Sequence, residues 1–132
     1  MAWTGVPAAG SYSPVNAMIV VFVIASDWTM RTAVRAELRE LGIDALGMDS
    51  ADDADRAVAS GGLPNLVVLE ATAELLGDLK IHNLVQRVPT VLIVSQTVRV
   101  SLPDTTAILY RPVRIAEVVD CVRELLARDD AT

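Results

Sequence analysis

The sequence predicts a doubly wound α/β domain: a five-stranded parallel sheet in the order 2-1-3-4-5, with helices on both faces. Three observations predict it. Leu66-Val67-Val68-Leu69 and Val91-Leu92-Ile93-Val94 are apolar runs without polar alternation, which marks strands buried on both faces. Stretches of helical periodicity separate the strand-like runs, and such alternation implies parallel strands joined by right-handed crossovers. The central run closes on a carboxylate, Glu70. In open α/β sheets ligand chemistry gathers outside the carboxyl ends of the strands, at the switch point of the strand order.

Taken in order, residues 1–17 are rich in Gly, Pro, Ser and Ala and lack periodicity, so they read as a flexible leader. Trp3 and Tyr12 are its candidates for docking on the body. Met18 to Ile24 is the first strand, followed by Ala25-Ser26-Asp27. Asp27 is placed to cap a helix in which Met30, Val34, Leu38 and Leu41 recur at helical spacing, and Gly42 ends it. Ile43 to Met48 is a short second strand. Ser50 caps the next helix, and Asp52 and Asp53 complement its dipole. Ala54, Ala57, Val58 and Ala59 give that helix a small apolar face, and Gly61-Gly62 stops it. After the central strand, Thr72 or Ala73 opens a third helix to Val85, weakened at Gly77. Val88 to Val94 is strand four, ending at Ser95. Residues 96–105 contain Pro103 and no apolar stripe, so the fourth helix is short or missing. There Val98, Val100 and Leu102 alternate as an extended strand would. Ala107 to Tyr110 is strand five, closed by Arg111-Pro112. Ile115, Val118, Val119, Val122, Leu125 and Leu126 face the last helix inward, and residues 129–132 form a frayed tail. The globular part therefore spans residues 18–128.

Composition narrows the function. The 132-residue chain is 52% hydrophobic but only 4% aromatic, so its core is aliphatic. A net charge of −6 argues against nucleic acid and anionic membranes as partners, because both require concentrated Lys and Arg. The longest apolar run, Ala17 to Ala25, is too short to span a bilayer, and no positive n-region precedes it. This points to a cytoplasmic protein. Cys121, the single cysteine, lies among Val118, Val119, Val122 and Leu125 and reads as structural. His82 is the only histidine, so no zinc set is available. The acids at 49, 52, 53 and 55 lack the Gly and Glu that a calcium loop needs. Ser26 and Ser95 have no general base beside them, and no phosphate-binding glycine motif occurs. No catalytic set, metal or cofactor is expected.

In the predicted order, Ser26, Asp27 and Glu70 face one crevice, bordered by Ser95 and Arg111. Those marks, in sequence, resemble the response-regulator receiver family, the chemotaxis-type domain of two-component phosphorelays, over residues 18 to 128. The likeness lies in the polar step before Thr29-Met30-Arg31, in Pro64-Asn65-Leu66-Val67-Val68-Leu69 ending in an acid, in Pro89 to Ser95, and in the cation-proline pair Arg111-Pro112. The resemblance implies a flavodoxin-like fold and a site built from a phosphoacceptor Asp, two Mg²⁺-binding acids, a hydroxyl and a lysine. Here those positions fall on Glu70, on Ala25 and Ser26, on Ser95 and on Arg111. The family's aromatic switch position falls on Ile108, with Tyr110 two residues on.

The departures imply a pseudo-receiver. Mg²⁺ asks for carboxylates that Ala25 and Ser26 do not supply, leaving only Asp27 one step along. Glu70 is a methylene longer than Asp, so its oxygens are displaced by about 1 Å or more. Glu70 and Arg111 are instead suited to a bidentate ion pair, with Ser95 as a candidate third member. The resemblance also makes Arg111-Pro112 a candidate cis peptide. The expected function is phosphorylation-independent signalling through a protein partner, whether kinase, regulator or larger assembly, or through a homodimer. Two alternatives stand: a small anion or metabolite binder, and a conventional phosphorylated receiver using Asp27 for metal.

Overall fold

The computed structural model describes residues 18–95, 103 and 106–131. The leader, with Trp3 and Tyr12, and nearly all of the stretch expected to lack a helix, with Val98, Val100 and Leu102, lie outside the described residues.

Five strands, β1 Val20–Ile24, β2 Asp44–Met48, β3 Leu66–Glu70, β4 Thr90–Val94 and β5 Thr106–Tyr110, form one parallel sheet in the order β2-β1-β3-β4-β5. The helices are α1 Trp28–Glu40, α2 Ala51–Gly61, α3 Ala73–Leu76, α4 Leu79–Arg87 and α5 Ile115–Ala131. Successive strand residues point to opposite faces. Val21, Val23, Leu66, Val68, Val91 and Ile93 therefore pack with α1 and α5. Phe22, Ile24, Val67, Leu69, Leu92 and Val94 pack with α2 and α4. Each such side chain contributes about 1.5–3 kcal/mol by leaving water. β3 and β4 are buried at every position, as their unbroken apolar runs predict.

The caps fall where the sequence places them. Asp27 accepts from Met30 N at 3.2 Å and Ser50 accepts from Asp53 N at 3.1 Å. Gly42 and Gly62 take φ of +83° and +88°, which glycine adopts without a Cβ penalty. Arg111-Pro112 is cis.

Some boundaries differ. β1 begins at Val20, because the Asn65 side chain accepts from Val20 N and Asn65 N donates to Val20 O, which sets the ladder's start there. Met18 is exposed. Leu41 is the C-cap of α1 and 48% exposed, one turn too late to face the core. Ala59 lies on the outer side of α2. The expected third helix is two, because Thr72 and Asp78 each cap a separate start, accepting from Leu75 N and Lys80 N. Gly77 closes the first of them. Finally, α5 continues through Ala131 and takes in Asp129 and Asp130, since no Gly or Pro interrupts it.

β5 is the least covered strand. Ala107 and Leu109 pack on the α1/α5 layer, whereas Ile108 and Tyr110 are exposed.

Candidate functional site

The strand order puts the carboxyl ends of β1 and β3 side by side, with Ile24 opposite Leu69. Beyond them the chain leaves β1 through Ala25-Ser26-Asp27 and leaves β3 through Glu70. β4 and β5 end together, with Arg111 N donating to Val94 O at 2.8 Å. The crevice thus collects Ser26, Asp27, Glu70 and Arg111 by topology alone. Ser95 follows Val94 directly at the same edge and is exposed.

Glu70 is the one charged residue among the described residues that the fold buries, at 7% exposure. A buried charge is tolerated only where donors surround it. They do. Oε1 accepts from Ser26 N at 2.8 Å, from Ser26 Oγ at 2.8 Å and from Asp27 N at 3.1 Å. Oε2 accepts from Arg111 Nη2. The same guanidinium nitrogen lies 4.0 Å from Met30 Sδ. The ion pair suggested by the residue types is therefore formed, but its shape differs from the two-oxygen fork expected. One oxygen meets the cation and the other meets the loop, because Ser26 and the N-cap Asp27, just before α1, turn their N–H groups toward the strand end.

The loop itself is braced. Arg31 Nη1 donates to Ala25 O at 2.6 Å, and Ala25 N donates to Met48 O at 3.0 Å. Sequence reasoning named Ser26 and Asp27 but missed Arg31 and the role of the two backbone N–H groups. Arg31 stands four residues after Asp27, one turn into α1, a spacing that carried the signal.

Chemically the crevice is a set of donors around one carboxylate. A divalent cation needs the converse, six or more oxygen acceptors. Asp27, whose N–H meets Glu70, spends Oδ1 on the α1 cap. Among the described residues no group of three or more His, Cys, Asp or Glu side chains stands close enough to hold a metal ion. The Mg²⁺ site that the resemblance implies does not fit these residues.

Elsewhere, Cys121 is half-buried in α5, and burial followed by the charge of Glu124 pushes its thiol pKa up. On the opposite side of the sheet Lys80 Nζ meets Asp52 Oδ1 at 2.5 Å. That contact holds the Asp52 carboxyl below the usual range and raises Lys80. No helix among the described residues is long and apolar enough to cross a membrane.

Solved structures show where this architecture recurs. A response regulator receiver protein from Sinorhizobium medicae is 16% identical, with 84% of this chain and 96% of that chain covered and a TM-score of 0.64. A Francisella response regulator receiver domain is 16% identical, over 83% of this chain and 98% of that one, at 0.66. A receiver protein from Burkholderia phymatum is 19% identical, over 82% and 94%, at 0.64. The chain has the fold of response regulator receiver domains. No family model matches the sequence, and no curated protein matches it.

Proposed function

We propose that the chain is an atypical response-regulator receiver, a signalling module that works by protein–protein contact without being phosphorylated. Glu70 stands in place of the phosphoacceptor Asp, and Glu70, Ser26, Asp27, Ser95 and Arg111 make up a degenerate phosphoacceptor pocket. The reading is carried by one observation: the Glu70 carboxylate is already held at both oxygens, by the Ser26-Asp27 loop and by Arg111. Phosphoryl transfer depends on positioning and on metal neutralisation of charge. A carboxylate so engaged lacks a free attacking oxygen, and the donors that ring it are the converse of the acceptors a divalent cation needs.

The module is then a non-enzymatic, cytoplasmic component without cofactor, recognised by a kinase, another regulator or a larger assembly. A second copy of the chain is a further candidate partner, supported by exposed Ile108 and Tyr110 on β5. The alternatives are weaker on the same geometry. Arg111 and the Ser26-Asp27 step leading into α1, which would attract a small anion, are taken by Glu70. Asp27, which a conventional receiver would need for metal, is taken by the cap.

Incubation with Mg²⁺ and a small phosphodonor, followed by intact mass, tests the proposal. No adduct is expected; a stoichiometric gain of about 80 Da on Glu70 overturns it.

A further inference from the structure

We propose that the Ala25-Ser26-Asp27 loop, together with Arg111, is a preorganised carboxylate receptor, and that Glu70 is its tethered resident ligand. Ser26 N–H, Ser26 Oγ–H and Asp27 N–H converge on one oxygen within 2.8–3.1 Å, while the guanidinium takes the other. That division suits a planar monocarboxylate, with a three-donor subsite and a cationic subsite.

The receptor does not depend on Glu70 for its shape. Arg31 holds Ala25 O, Met48 O holds Ala25 N, and the Asp27 side chain fixes the first turn of α1 through Met30 N. Arg111 is held from its own backbone by Val94 O. Each of these contacts is made by groups other than the Glu70 carboxylate, so the loop N–H donors stay aimed when it is removed, and the Arg111 guanidinium stays beside Met30 Sδ, 4.0 Å away. In the wild type the tether keeps the carboxylate at high effective concentration, and a free carboxylate is excluded.

Glu70→Ala replaces a CH₂COO⁻ group by hydrogen, which removes the heavy atoms of one acetate ion. Acetate is therefore the probe. In thermal unfolding, acetate at ten times its dissociation constant raises the folded-to-unfolded ratio of Glu70→Ala about 11-fold over chloride at equal ionic strength. Wild type and the Glu70→Ala/Arg111→Ala double variant show no acetate-specific change. Equal behaviour of Glu70→Ala in acetate and chloride overturns the proposal. A measurement on the wild type covers failure of the variant to fold. The Ser26 and Asp27 amides, though in an exposed loop, exchange at least roughly tenfold slower than free amides. Unprotected exchange at both positions overturns it. The inference rests on the reading of Glu70 as a fixed group. A phosphoryl adduct defeats that reading, whereas a missing acetate response without an adduct defeats only this inference.

Discussion

Two of the carboxylate–cation pairs among the described residues have opposite settings, one in the crevice and one between helices. Glu70 with Arg111 lies at the carboxyl ends of β3 and β5, with side-chain exposures of 9% and 38%. Asp52 with Lys80 bridges α2 and α4, at 66% and 49%. Both contacts are short. Only the first has further donors on the carboxylate. In water an exposed pair gains little, since solvent and salt screen it and two long side chains must be ordered. In the crevice, desolvation makes each unmade bond expensive, so the carboxylate and its donors are interdependent. Proximity of opposite charges says little by itself; the number of groups that would be stranded decides the energy.

The comparison is sharpened most by Glu70→Ala, which strands the Arg111 charge and the Ser26 and Asp27 donors. Urea denaturation should show a loss of about 3–5 kcal/mol, and a loss below 1 kcal/mol would put the crevice in the same class as the surface pair. Arg111→Ala comes next. It leaves the loop donors on Oε1, and the expected loss is about 1.5–3 kcal/mol, the range for a hydrogen bond to a charged group. Arg111→Lys should recover part of it, lacking the guanidinium's planar reach. Ser26→Ala removes the hydroxyl and spares both N–H donors, so about 1 kcal/mol is expected by the same assay.

Asp52→Asn marks the small end. Its melting temperature should match wild type in high salt and differ at most slightly in low salt. The sign with pH is set by the lowered Asp52 pKa. Whatever the pair contributes is present above the ordinary carboxylate range and disappears as pH falls through the depressed value. A melting temperature that rises on acidification in wild type but not in Asp52→Asn would reverse that assignment. Cys121 offers a separate check on burial. With its thiol pKa raised, alkylation by iodoacetamide at pH 8 should run slower than for a free thiol.

Much of this was legible along the chain. Unbroken Val, Leu and Ile runs at 66–69 and 91–94 belong to strands covered on both sides, and both are fully buried. Asp27 and Ser50 announce helix starts because their oxygens reach an N–H three residues on, a local event. The break at Gly77 was visible as a weakness but not as two helices, since the outcome turned on Thr72 and Asp78 both finding cap geometry. Leu41 fits an α1 stripe by spacing alone, yet the helix ended before it could be used.

What the sequence determined by itself was the fold class, the parallel order and the five positions at the crevice edge, because periodicity and capping act over a few residues. It also supplied the pairing of a long acid with a long cation. Tertiary structure decided which oxygen of Glu70 met which donor, and that Asp27 offers Glu70 its N–H and not its carboxylate. Those outcomes depend on groups 41 to 44 residues apart meeting within hydrogen-bond reach. Such contacts follow from the packing of whole strands, and no local pattern encodes them.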